Sequence, residues 1–168
     1  FQHLGQVIAS ARRITQITEQ PPEVSFAQSA DQTFSRVALT LNQVTFSYPQ
    51  QPAAALENIS LQVSAGDHIA ILGRTGCGKS TLLQLLTRAW DPAQGEILLN
   101  DQPLAQLNET TLRRAMSVVP QRVHLFSATL RDNLLLAAPQ ASDAHLVNIL
   151  ERVGLGKLLA ASGLNSWL

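Results

Sequence analysis

The chain has 168 residues, enough for one domain of ordinary size or for a large part of a bigger one. Its 12 lysines and arginines balance 12 aspartates and glutamates, which excludes the basic excess usual in nucleic-acid-binding proteins, so we expect no nucleic-acid partner. Apolar residues make up 45% of the sequence, which excludes general disorder, and the single cysteine excludes an internal disulfide.

The first predicted element is a helix over residues 1–20. Its stripe recurs at steps of three and four and consists of Leu4, Val7, Ala11, Ile14 and Thr18. Pro21 and Pro22 end the helix, because proline lacks the backbone donor that a helix needs. The pattern fits either a surface helix packed on its own domain or the cytoplasmic end of a longer helix. The polar, aperiodic residues 22–35 predict a linker.

Strands dominate the next part of the chain. Residues 36–48 alternate between apolar and polar side chains, with a phase slip at Asn42–Gln43 that predicts a bulge or a turn. Residues 56–63 show a second strand pattern, and residues 68–72 are almost continuously apolar, which is typical of a strand buried on both faces. Further strands are predicted at 95–99 and 117–120, and helices at 129–136, 143–153 and 156–161. This order predicts a small antiparallel sheet on an α/β core.

The segment that carries the chemistry matches the phosphate-loop pattern G-x-x-x-x-G-K-[ST]. Its residues are expected to contact a nucleotide, and they are Gly73, Arg74, Thr75, Gly76, Cys77, Gly78, Lys79, Ser80 and Thr81. The glycines let backbone N–H groups approach phosphate oxygens without a side chain in the way. Lys79 would face the β- and γ-phosphates, and the Ser80 hydroxyl would bind Mg²⁺. A helix predicted over residues 81–89 adds the partial positive charge of its N-terminus.

Two interpretations compete at this loop. A glycine-rich turn before an ordinary helix is the simpler one, but the apolar strand pattern before the loop and the apolar-periodic helix after it are the context of a phosphate loop. Cys77, within the loop, is either a small side chain filling a variable position or a redox-sensitive thiol.

Further stretches follow one another in a fixed order around the loop. They are Phe46-Ser47-Tyr48-Pro49, the run Asp91-Pro92-x-x-Gly95-Glu96-Ile97, Gln121 after Val118-Val119-Pro120, and the segment Leu125–Leu134. Together with the phosphate loop they resemble the nucleotide-binding domain of ATP-binding-cassette (ABC) transporters, in particular exporters whose membrane and ATPase halves are fused. The resemblance covers about residues 36–168.

The resemblance implies an α/β P-loop NTPase core of the ABC ATPase type. An N-terminal antiparallel β subdomain and the start of a helical subdomain would complete the fold, which would be incomplete at its C-terminus. Residues 1–35 would be the end of the last transmembrane helix and a linker. Residues 36–126 would form the β subdomain and part of the core, and residues 127–168 the start of the helical subdomain, before the family's signature motif.

The resemblance also assigns roles to single residues. Tyr48 would stack on adenine, unless it is only a strand aromatic packed on the sheet. Gln121 would bind Mg²⁺ together with Ser80 and contact the attacking water, acting in catalysis with Lys79; otherwise it is a surface glutamine. The residues from Phe126 to Leu134 would lie near the membrane domain and transmit conformational changes to it.

The function that the resemblance implies is ATP-driven export across the bacterial inner membrane, with the ATPase on the cytoplasmic side. ATP and Mg²⁺ would be the cofactors. The partners would be a transmembrane domain on the same polypeptide and a second ABC subunit, forming a heterodimer. The detailed sequence is similar to exporters of cysteine and glutathione required for cytochrome bd assembly, although none of these motifs recognises a thiol.

The family's catalytic aspartate and glutamate, its Leu-Ser-Gly-Gly signature and its later histidine are not among these 168 residues. A bound water then lacks the base that activates it, so we expect this chain by itself to bind ATP without hydrolysing it, whereas the full-length protein would be an ATP hydrolase. Two alternatives remain: a soluble ABC-type ATPase in repair, translation or assembly, and a regulatory module that senses ATP without turnover.

Overall fold

The structure is a computed structural model, and it describes residues 22–168. The helix predicted over residues 1–20 lies outside the described residues. The chain divides into two compact units at the Ser117–Val118 junction, and each is described by itself. In the part of the chain that is described, no helix is long and apolar enough to cross a membrane.

The first unit is built on a four-stranded antiparallel sheet. Its strands are β1 (Leu39–Phe46), β2 (Leu56–Val63), β3 (Gln94–Leu99) and β4 (Gln102–Pro103). They lie side by side in the order β2-β1-β3-β4. The central strand β1 pairs with β2 and β3, and its register shifts after Leu41 on one side and after Asn42 on the other, which confirms the predicted irregularity. Gly95 lies opposite this bulge, where a Cβ atom would collide with the carbonyl oxygens of Asn42 and Gln43.

Helices cover this sheet and close the core of the first unit. They are α1 (Lys79–Leu86), a 3₁₀ helix (Leu104–Gln106) and α2 (Glu109–Ala115). The buried apolar side chains of the sheet and helices form one cluster of Leu41, Val44, Phe46, Leu56, Leu82, Leu85, Ile97, Leu99, Leu104, Leu107 and Leu112. Asn108 begins α2 because its side chain accepts a hydrogen bond from the Thr111 N–H at 2.8 Å.

The turn between β3 and β4 uses two non-glycine residues. Asn100 and Asp101 both have left-handed backbone conformations, with φ of 47° and 64°. Asparagine and aspartate tolerate this region better than other residues, as a two-residue hairpin of this kind requires. The Asn100 side chain also bonds to the chain before β1, accepting from the Ala38 N–H and donating to the Arg36 carbonyl, both at 2.8 Å. The turn therefore also fastens the start of β1.

Two predicted strands are wrong. Residues 68–72 and 117–120 form no strand, and the side chains of Ile69, Leu72 and Val119 are 51%, 90% and 91% exposed. A strand buried on both faces needs hydrogen-bonded neighbours along its edges. Within residues 22–168 no strand pairs with either segment. Their apolar sequence indicates burial, but it cannot supply the neighbouring strands on which burial depends.

The second unit consists of short helices, α3 (Leu130–Leu135), α4 (Asp143–Arg152) and α5 (Gly156–Ser162). Thr129 and Asp132 form a reciprocal capping box at the start of α3. The Asn133 side chain accepts from the Phe126 N–H at 2.8 Å and donates to the Phe126 carbonyl at 3.0 Å, which holds the segment before the helix. The predicted helical character of this region is thus confirmed.

Candidate nucleotide-binding site

The phosphate loop leads into α1 through two glycines with left-handed backbones. Gly76 has φ of 84° and Gly78 has φ of 93°, values that other L-residues rarely adopt. At Gly78 a Cβ atom would also stand 2.5 Å from the Ala55 carbonyl oxygen and 2.7 Å from a methyl group of Leu56. The loop therefore packs its backbone directly against β2 and the residue before it. Any other residue at Gly78 would therefore collide with Ala55 or Leu56.

Lys79 folds back over its own loop. Its Nζ atom donates hydrogen bonds to the carbonyl oxygens of Gly73 at 2.7 Å and Arg74 at 2.8 Å. The ammonium group thereby holds the two ends of the loop together and keeps its charge beside the N-terminus of α1. An anion entering the loop would meet both this charge and the free N–H groups of the helix. The arrangement suits the binding of a phosphate chain.

A cavity of about 510 Å³ opens over the loop, a size usual for small-molecule sites. Its walls come from Tyr48, Gln51, Ala53, Ala54, Ala55, Thr75, Gly76, Gly78, Lys79, Ser80 and Thr81. Six of the nine predicted loop residues line it, and Tyr48 faces them across the same space. The remaining three, Gly73, Arg74 and Cys77, belong to the loop but do not line the cavity.

Tyr48 is fixed by both its ring and its hydroxyl. The ring meets Phe46 and Trp90 edge-on, with centroid separations of 5.0 and 5.8 Å. The hydroxyl donates to Gln84 Oε1 at 2.9 Å, which leaves it to accept from the Thr81 hydroxyl at 3.0 Å. Both partners lie on one face of α1, three residues apart. These two bonds connect Tyr48 to the helix that carries the phosphate loop.

The sequence did not identify Gln84 as part of this site. Its only signal is its position three residues after Thr81, which places it on the same helix face. The alanines 53–55 were missed as well, because small apolar residues in a loop carry no pattern that distinguishes a cavity wall from an ordinary turn. Cys77 is exposed, and its sulfur lies 3.6 Å from Lys79 Nζ.

Ser80 and Gln121, the predicted magnesium ligands, are placed differently. Ser80 stands in the first turn of α1, where it is exposed and lines the cavity; its role as a metal ligand stays a prediction. Gln121 belongs to the second unit, where it is exposed and lies in no helix or strand. Its role at the metal stays a prediction.

Comparison with known proteins gives consistent matches. Residues 56–165 match the family model described as ABC transporter. The chain is 70% identical over all 168 residues to the glutathione/L-cysteine transport system ATP-binding/permease protein CydC of Escherichia coli (strain K12), and covers 29% of it. It is 46% identical over 171 aligned residues to the protein of the same description from Haemophilus influenzae, with its whole length matched and 30% of that protein covered.

Solved structures agree. The structure of a bacterial Atm1-family ABC exporter with ATP bound superimposes with a TM-score of 0.82 at 28% identity, over 99% of this chain and 30% of that one. The chain thus spans less than a third of the length of the curated relatives it matches. From the family match, the phosphate loop and the cavity above it, we conclude that this chain belongs to the ABC transporter family and has the α/β fold of its nucleotide-binding P-loop ATPase domain.

Proposed function

We propose that this chain is the ATP-binding part of an exporter that moves cysteine or glutathione across a bacterial inner membrane. The observation that carries ATP binding is the cavity shared by the phosphate loop and Tyr48. The assignment of the cargo rests on two relatives, 70% and 46% identical, that are described as glutathione/L-cysteine transport proteins. Because the chain covers only 29% and 30% of these relatives, cargo binding is ascribed to the rest of the full-length protein.

In this proposal ATP lies along the cavity with its triphosphate in the loop. The N–H groups around Gly76 and Gly78 and the Lys79 ammonium bind the β- and γ-phosphates. The Ser80 hydroxyl holds Mg²⁺, with Gln121 as the second protein ligand and the residue that contacts the attacking water. Tyr48 supports the adenine ring.

The other domains of the full-length protein are inferred from its relatives, which are described as ATP-binding/permease proteins. We infer a transmembrane domain on the same polypeptide, preceding the linker of residues 22–35, and a helical subdomain that begins near residue 127. A second ABC subunit completes a heterodimer at the inner membrane, with this domain on the cytoplasmic side. ATP binding then closes the two subunits, a population shift driven by the ligand.

Uptake into inside-out vesicles tests the cargo. Vesicles that contain the full-length protein and its partner subunit are expected to accumulate radiolabelled cysteine or glutathione only with Mg-ATP, and not with a non-hydrolysable analogue. Serine and ophthalmate, which lack the thiol of cysteine and glutathione, are the matched controls. Equal uptake with and without ATP, or equal transport of the thiol-free analogues, would contradict the proposal.

Tyr48→Ala tests the adenine contact. Loss of base stacking, worth about 1–3 kcal/mol, is expected to raise the Kd for ATP by about 5- to 150-fold. Tyr48→Phe keeps the ring and loses only the bonds to Thr81 and Gln84, so its Kd should change by less than about fivefold. Calorimetry with inorganic triphosphate provides the control, because a ligand without a base should bind the Tyr48→Ala variant unchanged. If triphosphate binding weakened as much as ATP binding, Tyr48 would act through α1 and not on adenine.

A further inference from the structure

Arg88 is a buried arginine just beyond the C-terminal end of α1. It is 5% exposed, and its backbone has a left-handed φ of 55°. Arginine is almost never fully buried unless it is paired. Here Asp91 is the charged partner: its two carboxylate oxygens accept from Nε at 2.9 Å and from Nη2 at 3.2 Å. The pair fixes the guanidinium plane relative to the end of the helix that begins at the phosphate loop.

The same guanidinium holds the chain before β1. Nη2 also donates to the Ser25 carbonyl oxygen at 3.0 Å, and the guanidinium carbon lies 4.9 Å from the centre of the Phe26 ring. Phe26 in turn packs on the buried cluster of the first unit. One side chain thus joins the end of α1, Asp91 and a segment 63 positions earlier in the sequence.

We call residues 25–36 the strap, because they lie along the first unit without helix or strand structure. Beyond Phe26 the strap is fastened to α2 and the residues before it. Its polar contacts there are Ser29 with Gln106 and Asn108, Asp31 with Asn108 and Arg114, and Gln32 with Thr111. Within residues 22–168, the polar contacts between the strap and the end of α1 are those of Arg88.

Stability alone does not explain an arginine at this place. A buried ion pair is weak evidence for stability, since an apolar side chain of similar length packs without the cost of desolvating a charge. The Nη1 atom, moreover, is buried without an acceptor among residues 22–168, which is unfavourable for an N–H donor. What the guanidinium supplies, and an apolar side chain cannot, is a directed link from α1 to one carbonyl of the strap.

The phosphate loop precedes α1, and Arg88 lies just beyond its other end. α1 runs for 8 residues from Lys79 to Leu86, about 12 Å at 1.5 Å per residue. Leu82 and Leu85 anchor it in the core, and Tyr48 is bonded to its exposed face. If α1 changes its tilt or position when phosphates fill the loop, Arg88 at its far end would transmit that change to the strap.

We propose that Arg88 is a positioning residue that couples the phosphate loop, through α1, to the strap, so that nucleotide binding alters the freedom of the chain around Ser25. This inference rests on the proposed function, because it needs ATP in the loop. The strap makes up most of the predicted linker of residues 22–35 and leads back toward Pro22. Arg88 would thus give the nucleotide site a route to the preceding part of the polypeptide that is independent of the second unit.

Hydrogen–deuterium exchange of the full-length protein tests the coupling. A saturating non-hydrolysable ATP analogue with Mg²⁺ is expected to change the exchange rate of residues 22–30 by at least about threefold. Arg88→Met keeps the length of the side chain and removes its hydrogen bonds. Arg88→Lys keeps the buried charge but lacks the planar fork with which the guanidinium bonds Asp91 and the Ser25 carbonyl at once. Both variants should bind the analogue within about threefold of the unmodified protein and lose the response of the strap to nucleotide.

Arg114→Met is the matched control, since it breaks the exposed contact to Asp31 at the other part of the strap. It should keep the full response. If Arg88→Met does not fold, Arg88→Lys, which keeps the charge and loses the fork, provides the test. A strap that does not respond in the unmodified protein, or that still responds in both variants, would overturn this inference alone. Failure of the unmodified protein to bind the analogue would overturn the proposed function and this inference with it.

Discussion

Lys79→Ala is expected to lower both ATP hydrolysis and ATP affinity in the full-length protein. ATP hydrolysis should fall by about 10²–10³-fold, the usual cost of removing one preorganised group from a developing charge. The affinity for ATP should fall by about 10- to 150-fold, corresponding to the roughly 1.5–3 kcal/mol of a charged hydrogen bond. Two effects combine in this loss. The variant lacks the charge that faces the phosphates, and it also lacks the bonds from Nζ to the Gly73 and Arg74 carbonyls that hold the loop in shape.

The chain offers a matched control for this variant. Lys157, on the exposed surface of α5, is the other lysine of the sequence. Lys157→Ala removes the same charge from the protein and should leave both ATP binding and hydrolysis unchanged. Lys79→Arg separates the two effects, because it keeps the charge but cannot place a compact ammonium group between the two carbonyls. Calorimetry with Mg-ATP and a phosphate-release assay give the two readouts.

Normal ATP binding by the Lys79→Ala variant would mean that the phosphate loop is not the nucleotide site. Equal losses in Lys79→Ala and Lys157→Ala would mean that net charge, and not the position of Lys79, controls the affinity. Hydrolysis that survives in Lys79→Ala with weaker binding would leave the loop as a binding element and assign the chemistry to other residues.

The antiparallel sheet was predictable because its signals are local. The alternating pattern of residues 36–48 contains β1, and residues 56–63 coincide with β2. The phase slip at Asn42–Gln43 appears as the register shift in β1, since a single extra residue reverses the faces of a period-2 pattern. Gly95 fits the same bulge, because a Cβ atom at this position would collide with the carbonyls of the bulged residues.

The parts that could not be predicted depend on distant residues. Residues 68–72 carry the pattern of a buried strand, but pairing requires neighbours that no local pattern supplies. The bond from Tyr48 to Gln84 joins residues 36 positions apart, and Arg88 meets Ser25 across 63 positions. A motif fixes the chemistry of the phosphate loop, whereas these contacts arise only when the chain folds. The linker pattern of residues 22–35 likewise gave no indication that the strap is bonded to the first unit.

Gly78→Ala and Gly76→Ala form a pair that separates backbone strain from close packing. Both glycines have left-handed backbones, with φ of 93° and 84°, so alanine at either position costs about 1–2 kcal/mol. A Cβ atom at Gly76 meets no other atom within 4 Å, whereas one at Gly78 stands 2.5 Å from the Ala55 carbonyl oxygen. We therefore expect Gly78→Ala to lower the free energy of unfolding by about 1–3 kcal/mol more than Gly76→Ala, the usual cost of overpacking.

Urea unfolding of the two variants measures this difference, and Mg-ATP binding shows its consequence for the site. Because the Gly78 contact seats the loop against Ala55 and Leu56, Gly78→Ala displaces the start of α1 and with it the Lys79 ammonium and the Ser80 hydroxyl. Gly78→Ala should then lower the affinity for ATP more than Gly76→Ala, in which backbone strain acts alone. Equal destabilisation by the two substitutions would mean that the loop does not pack on β2 as described. The loop would then not form one side of the cavity that Tyr48 also lines.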